Sequence, residues 1–192
     1  GNTTSQNSNP DSYNALTRQN GGFAVLDFSI YDNLLLQVSG RAETLSTLPG
    51  AGIIFYPSAS LGYKITNLLV TDAVDFAKVR VSYGDVGIGA NPYATSTVYG
   101  PGGVFSSWGD GLGGYLYGNP FTQSATRGNP DLKEERKTEF EYGLDLRLFD
   151  NAITLNATYY QNETTDGIIA LPIPASSGFT STLQNAALIT NK

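Results

Sequence analysis

The sequence predicts an all-β chain that forms a section of an antiparallel transmembrane β-barrel. Three observations predict this fold class: apolar and polar residues alternate in long runs, short turns alternate with longer connections, and the 192 residues include 22 glycines and 12 tyrosines. Alternation puts successive side chains on opposite faces of a strand. Glycine favours turns and tyrosine favours strands.

The alternation is clearest in 138–149, where apolar and polar residues occupy opposite faces. The apolar face carries Phe140, Tyr142, Leu144, Leu146 and Leu148, and the polar face carries Glu139, Glu141, Gly143, Asp145 and Arg147. Five further runs show the same period of two. We therefore predict six strands, near 22–30, 34–45, 53–65, 77–84, 138–149 and 152–162.

Strand length and connection length favour a membrane barrel over a soluble sandwich. A tilted membrane-spanning strand needs about 9 to 11 residues, whereas globular strands usually have about 5 to 6. Short turns at 31–33 and 150–151 alternate with longer connections, and the longest is a predicted external loop at 85–137. Outer-membrane barrels have short periplasmic turns and long external loops. The connection at 66–76 fits this alternation of short turns and long loops least well, and its apolar residues are compatible with a short helix.

Charged side chains of the predicted strands lie opposite the aliphatic ones. An Arg or Lys that faces lipid at the bilayer centre costs about 2 to 4 kcal/mol, so we expect the polar face to line a lumen. The predicted lumen-facing charges are Arg41, Lys64, Arg80, Glu139, Glu141 and Asp145. An open sheet leaves unpaired backbone groups at its two edges, which hydrocarbon cannot satisfy. We therefore expect the six strands to pair with further strands outside this chain.

Composition argues against several other function classes. The chain has no His and no Cys, which argues against His-based catalysis and Cys/His zinc sites. Its net charge is −6 and its Lys and Arg residues are scattered, so we expect no nucleic-acid partner. No apolar stretch reaches the roughly 18 residues of a transmembrane helix. We predict neither enzymatic activity nor a metal or other cofactor.

The predicted external loop supplies candidate ligand contacts. Trp108, Tyr115 and Tyr117 lie there among many glycines, and aromatic rings on external loops are frequent platforms for sugars or peptides. We predict these three residues as substrate-binding candidates. The alternative, that they pack the loop against itself or against a capping partner, stays open.

A family resemblance enters at 128–145. The run Asn129-Pro130-Asp131-Leu132-Lys133-Glu134-Glu135, followed by Gly143-Leu144-Asp145, resembles the Asn-Pro-Asp-Leu-Lys-Pro-Glu segment and Gly-Leu-Asp strand of TonB-dependent transporters of the SusC/RagA family. Ser176-Ser177-Gly178-Phe179 and Gln184-Asn185-Ala186 extend the resemblance downstream. Glu134 stands where the family usually has Pro, and Ala187 stands where Gly is common. The resemblance covers most of 22–192.

The resemblance implies a barrel of about 22 strands around an N-terminal plug, in the outer membrane of a Gram-negative bacterium. This chain would be a middle-to-late section of the barrel, without the plug. The implied function is import of oligomeric nutrients, either glycans or peptides. The implied partners are outer-membrane lipid, the remaining strands and plug, a SusD-like surface lipoprotein, and the TonB complex, which would act through parts outside this chain. The alternative is a secreted or surface β-sandwich, either an adhesin or a carbohydrate-binding module.

Overall fold

Long β-strands dominate the chain. A computed structural model describes residues 14–69, 71, 73–101 and 121–192, and within them no α-helix occurs. The strands are β1 (Gln19–Ile30), β2 (Leu34–Leu45), β3 (Ile54–Lys64), β4 (Val74–Ile88), β5 (Tyr99–Pro101), β6 (Phe121–Gln123), β7 (Thr126–Arg127), β8 (Glu135–Leu148), β9 (Ile153–Pro172) and β10 (Ser181–Asn191). Two 3₁₀ turns accompany them, Thr66–Leu68 and Ala175–Ser177.

The seven long strands form one antiparallel sheet. Its order is β1-β2-β3-β4-β8-β9-β10, and the two-residue β7 adds to β10 in parallel. Every long strand pairs with its neighbour in the chain, except that β4 reaches β8 across the long loop. The short strands β5 and β6 pair only with each other. This is the up-and-down meander of a barrel wall, as the alternation predicts.

Two short turns of the sheet contain successive residues with positive φ. Tyr31 and Asp32 form one such pair, at 49° and 55°, whereas the other turn has three, with Phe149 and Asp150 at 56° each and Asn151 at 61°. Positive φ at successive residues is typical of the tight turns that match the twist of a hairpin. The aromatic-Asp-Asn sequence recurs at the same end of the sheet, but it builds two different turns. Asn33 N donates to Ile30 O around Tyr31 and Asp32, whereas Ala152 N donates to Phe149 O around Asp150 and Asn151.

The predicted strands match the structure over their central residues, but several bounds are wrong. Strand β4 spans Val74–Ile88 rather than 77–84, and it absorbs part of the connection where a short helix was considered. Strand β9 continues to Pro172 rather than ending near 162. The segment 163–167 is polar and therefore shows no alternation of apolar and polar residues. Pairing with β8 and β10 keeps it in the sheet, with a local break at Asp166, whose φ is 57°.

The seventh long strand, β10 (Ser181–Asn191), is missing from the six-strand prediction. Its register with β9 shifts twice, between Asn185 and Ala187 and between Ala187 and Ile189. At the first shift the extra residue, Ala186, lies on β10 and interrupts its period-two pattern, whereas at the second shift the extra residue lies on β9. The predicted loop 85–137 is also shorter, because β4 and β8 extend into it and β5, β6 and β7 lie within it.

The sheet exposes a broad apolar surface instead of burying it. Large exposed side chains on this apolar face include Leu26, Phe28, Val38, Leu61, Val81, Phe140, Tyr142, Leu155 and Tyr159. A soluble protein rarely exposes so extended an apolar patch. The buried apolar cluster of Leu48, Ala90, Ala94 and Leu132 is small and lies among the longer connections. The described residues therefore form no central core, and their apolar face is suited to lipid.

Candidate functional site

The polar face of the sheet carries all six charged residues that the sequence analysis predicted to face the lumen. Residues directly opposite each other in an antiparallel pair lie on the same face. Arg80 lies opposite Gly143, and Lys64 lies opposite Lys78. By the same register Arg41, Glu139, Glu141 and Asp145 share this face. The structure brings the six residues onto one surface, and their position in a lumen stays a prediction.

Arg80 is held between two carboxylates of the neighbouring strand. Its Nε lies 3.1 Å from Asp145 Oδ2, and its Nη1 lies 3.7 Å from Glu141 Oε1. Arg80 Nη2 also donates a hydrogen bond to Asp145 Oδ1 at 3.4 Å, so the contact with Asp145 combines an ion pair with a hydrogen bond. A Cβ added at Gly143 would lie 2.8 Å from Arg80 Nη2. The glycine therefore leaves the space that the guanidinium occupies.

A buried carboxylate orients a second cation nearer the long loop. Glu43 is only 4% exposed, and its Oε2 accepts hydrogen bonds from Arg41 Nε and Gln19 Nε2, each at 2.7 Å. A buried carboxylate needs such compensation because desolvation of an unpaired charge is costly. The pair fixes the guanidinium of Arg41 while leaving part of it accessible.

A groove of about 440 Å³ lies on the polar face beside Arg80. The polar residues and glycine that line it include Asp27, Gln37, Ser60, Gly62, Lys78 and Arg80. Its lining thus combines small residues with charged groups of both signs, and it also includes apolar residues such as Leu35. Such a surface can bind hydrated, polar molecules by hydrogen bonds and ion pairs.

The segment 128–135, which we name the strap, ties the long loop to β9 and β10. Asn185 Nδ2 donates to Lys133 O at 3.0 Å and to Asp166 O at 2.7 Å, and Asn185 Oδ1 accepts from Lys133 N at 3.0 Å. Glu135 Oε1 accepts from Ile168 N at 2.9 Å, and Asn129 Nδ2 donates to Leu183 O at 3.0 Å. Leu132 is 2% exposed and packs in the apolar cluster.

The structural role of the strap was not predicted from the sequence. Its residues entered the sequence analysis only through the family resemblance, at Asn129 to Glu135 and at Gln184-Asn185-Ala186. The structure shows that the two matching segments are hydrogen-bonded to each other. The sequence shows two Asn-containing segments that could hydrogen-bond to each other. Local periodicity cannot predict this contact, because the segments lie about fifty residues apart.

Arg136 joins three strands where β3 and β4 separate. Pairing of β3 with β4 ends at Ser58 and Gly84, whereas β4 remains paired with β8 up to Ile88. The Arg136 guanidinium contacts Asp85 Oδ2 at 3.2 Å, Glu134 Oε1 at 3.1 Å, Phe55 O at 3.3 Å and the Tyr56 ring, whose centroid is 5.5 Å away. The cation thus links β3, β4 and β8 at this end of the sheet, with one hydrogen bond to a β3 carbonyl.

The three predicted substrate-binding aromatics, Trp108, Tyr115 and Tyr117, lie outside the described residues. Within the described ranges, no cluster of three or more His, Cys, Asp or Glu residues could hold a metal ion. No helix in the same ranges is long and apolar enough to cross a membrane. The arrangement that the structure does show is a two-faced sheet with a charged, grooved surface.

Among protein-family models, the one described as the β-barrel of TonB-dependent receptor-like proteins matches residues 1–192. Two curated relatives come from Formosa agariphila. TonB-dependent receptor P26 is 28% identical over 97% of this chain and 19% of its own length. TonB-dependent receptor P3 is 31% identical over 72% of this chain and 13% of its own length. The chain thus spans less than a fifth of the curated relatives it matches.

Solved structures with the same fold include a chain of the RagAB peptide importer in its open-open state. That chain superposes with a TM-score of 0.73 and 21% identity, covering 91% of this chain and 18% of its own length. The siderophore receptor PirA from Pseudomonas aeruginosa superposes with a TM-score of 0.58 and 15% identity, covering 91% of this chain and 29% of its own length. At these identities the likeness concerns the fold.

Proposed function

This chain belongs to the TonB-dependent receptor β-barrel family, and on that premise we propose that it forms a wall section of an outer-membrane importer of oligomeric nutrients. The family confirms the predicted transmembrane barrel and its place in the outer membrane of Gram-negative bacteria. Membership of this family also excludes the alternative of a soluble β-sandwich. The imported oligomers are glycans or peptides.

The observation that supports import best is the separation of the two faces of one continuous sheet. Leu61, Val81 and Tyr142 lie on the apolar face, and Arg80 and Glu141 lie on the polar face, in the same strands. A wall with lipid on one side and water on the other requires this division. The polar face with its groove then lines the route of the cargo, and Arg41, Lys64, Arg80, Glu139, Glu141 and Asp145 are its charges.

The proposed partners follow from this role. The remaining strands and a plug complete the barrel, TonB supplies energy from the periplasmic side, and a SusD-like lipoprotein covers the external mouth. The likeness to a RagAB chain, which belongs to a peptide importer, supports a partnered importer. The loop that carries Trp108, Tyr115 and Tyr117 would meet cargo or lipoprotein at that mouth.

Uptake by cells that express the full-length transporter tests the proposal. Fluorescently labelled neutral oligosaccharides and length-matched peptides would be supplied to wild-type cells, to cells lacking the transporter and to cells lacking TonB. We expect at least one of the two classes to accumulate in wild-type cells and in neither deletion strain. Accumulation that is unchanged without TonB would overturn the proposed function.

Trp108 gives a test of the loop. Loss of one aromatic contact of about 1 kcal/mol would lower uptake about fivefold in Trp108→Ala, whereas Trp108→Phe would keep most of it because a ring remains. Binding of the lipoprotein would be measured on the same variants. If Trp108→Ala left both uptake and lipoprotein binding unchanged, the loop aromatics would have no role in either.

A further inference from the structure

The polar face carries a second depression, of about 350 Å³, toward the end of the sheet where β4 leads into the long loop. We name it the outer depression, and the residues that line it include Phe23, Val25, Ser39, Arg41, Tyr56, Ser58 and Val86. Long connections are typical of the external side of an outer-membrane barrel. The outer depression therefore lies in the external half of the polar face.

Apolar side chains stand on two sides of the outer depression, although this face of the sheet is the polar one. Phe23 lies opposite Arg41 and Val86 lies opposite Lys137, and Val25 shares the face of Phe23 because it is two residues further along the strand. Phe23, Val25 and Val86 are 80%, 46% and 60% exposed. Three exposed apolar groups around one depression indicate a surface that an apolar ligand group can cover.

The open edge of β1 does not account for this exposure. A neighbouring strand outside this chain would hydrogen-bond to the backbone edge of β1, whereas the side chains of a strand project out of the plane of the sheet. Phe23 and Val25 would therefore remain on the polar face. Val86 belongs to β4, which lies between β3 and β8 in the strand order. The three side chains are covered together only by an occupant of the polar face.

The charges around the outer depression are already paired. Arg41 contacts Glu43 Oε2 through Nε at 2.7 Å and through Nη2 at 2.6 Å, and Asp85 Oδ2 lies 3.2 Å from Arg136 Nη1. Arg41 Nη1 makes no hydrogen bond or ion pair with the described residues, and about half of the Arg41 side chain is exposed. The outer depression therefore offers N–H donors without an uncompensated charge.

Contacts within the sheet fix the floor of the outer depression. The hydroxyl groups of Ser39 and Ser58 hydrogen-bond to each other at 2.5 Å. The Tyr56 ring is 5% exposed, its centroid lies 5.5 Å from Arg136 Cζ, and its hydroxyl packs over Gly87. The outer depression is thus formed without a ligand, which lowers the cost of binding one.

This combination suits the apolar side chain of a peptide better than a sugar. An apolar side chain gains free energy when it leaves water against Phe23, Val25 and Val86, and a peptide carbonyl beside it can accept a hydrogen bond from Arg41. A neutral sugar would bring hydroxyl groups against aliphatic side chains, which cannot hydrogen-bond to them. An acidic group would meet no uncompensated cation, because Arg41 is paired with Glu43.

We propose that the outer depression is a selectivity subsite of the importer, in which Phe23, Val25 and Val86 receive an apolar side chain of a peptide cargo. Arg41 positions that cargo by donating to a carbonyl of its backbone. The occupant is cargo because the subsite lies in the external half of the polar face, from which cargo enters. This inference rests on the proposed function and narrows its cargo from glycans or peptides to peptides with apolar side chains.

Equilibrium dialysis of the full-length transporter in lipid nanodiscs tests the inference. The probes are three hexapeptides of glycine and serine that differ only at the third position, which is Leu, Ser or Asp, and a neutral glucose hexasaccharide. Mass spectrometry measures how much of each probe is retained. Val25→Thr/Val86→Thr is the loss variant, because threonine keeps the shape of valine and adds a hydroxyl. Ile88→Thr is the matched control, since Ile88 is similarly exposed on the same face of β4 but does not line the outer depression.

We expect the wild type to retain the Leu peptide about tenfold more than the Ser peptide, the Asp peptide or the hexasaccharide, and the loss variant to show a preference of about threefold or less. Ile88→Thr should keep the wild-type preference. Equal retention of the three peptides, retention of none, a preference for the hexasaccharide, or an unchanged preference in the loss variant would each overturn the inference. Uptake by cells is measured separately. Uptake that depends on TonB but lacks the preference contradicts only the inference, whereas uptake without TonB contradicts the proposed function.

Discussion

Glycines determine where the cations of the polar face can lie. Gly143 and Gly62 are both buried, and each lies beneath a cation from the neighbouring strand, Arg80 and Lys78 respectively. A glycine within a strand weakens it unless another group needs the space. Here the space is used by a guanidinium and by a lysine side chain, so the two glycines contribute to the charge arrangement of the wall.

Replacement of Gly143 by Ala should disturb the Arg80 ion pairs. The new Cβ would lie 2.8 Å from Arg80 Nη2, so the guanidinium must move away from Asp145. The Arg80 and Asp145 side chains are partly exposed, at 37% and 25%, so we expect a modest loss of about 1 kcal/mol in unfolding free energy. Chemical denaturation of the full-length transporter in detergent would measure it.

Gly22→Ala is the matched control, because Gly22 also lies in a strand but nothing stands within 4 Å of its added Cβ. We expect this variant to unfold at the wild-type denaturant concentration or slightly above it. Equal losses in the two variants would mean that general strand effects, and not the displacement of Arg80, explain the result.

Which face each charged side chain occupies was predictable, but its partners were not. The alternation of faces along each strand puts Arg80, Glu141 and Asp145 on one face, and the register of β4 with β8 agrees. The distances between these three side chains depend on their rotamers and on the space left by Gly143. The alternation of apolar and polar residues predicts neither. The bridging position of Arg136 was unpredictable for another reason: it depends on where β3 and β4 stop pairing.

At the scale of elements, the strap explains how a long loop can leave a barrel wall and still be ordered at its base. It combines side-chain hydrogen bonds to β9 and β10 with one buried apolar residue, Leu132. The sequence signal for β10 was weak because its bulge at Ala186 breaks the alternation. The same strand is fixed in the structure by Asn185 and its contacts with the strap.

Asn185→Ala should loosen the strap. The change removes three hydrogen bonds, to Lys133 N, Lys133 O and Asp166 O, each worth about 1 kcal/mol net. We expect amide hydrogen exchange in 128–135 to rise by about a hundredfold, which corresponds to a local opening made easier by about 2 to 3 kcal/mol.

Asn162→Ala provides the comparison for this variant. Asn162 lies on β9 and donates one long hydrogen bond, at 3.4 Å, to Glu139 Oε2, so its loss should leave exchange in the strap within about twofold of wild type. If exchange in 128–135 responded equally to both variants, the strap would not depend on Asn185.

At the scale of the whole molecule, one sheet presents lipid-compatible and water-compatible surfaces on its two sides. The sequence contains this division as alternation, which is why the fold class was predictable without any long-range information. Strand ends were less predictable, because β9 continues through the polar segment 163–167, where apolar and polar residues do not alternate, as far as Pro172. The loop and strap depend on contacts between distant segments, which alternation does not encode.

The central claim, that the apolar face meets lipid and the polar face meets water, is tested by two neighbouring residues of β9. Ala157 lies on the apolar face opposite Leu144, and Asn156 lies on the polar face opposite Asp145. The measurement is the unfolding free energy of the full-length transporter in lipid vesicles, compared between Ala157→Arg and Asn156→Arg. We predict a loss of about 2 to 4 kcal/mol for Ala157→Arg and little change for Asn156→Arg. A larger loss for Asn156→Arg, or equal losses for both, would contradict the account.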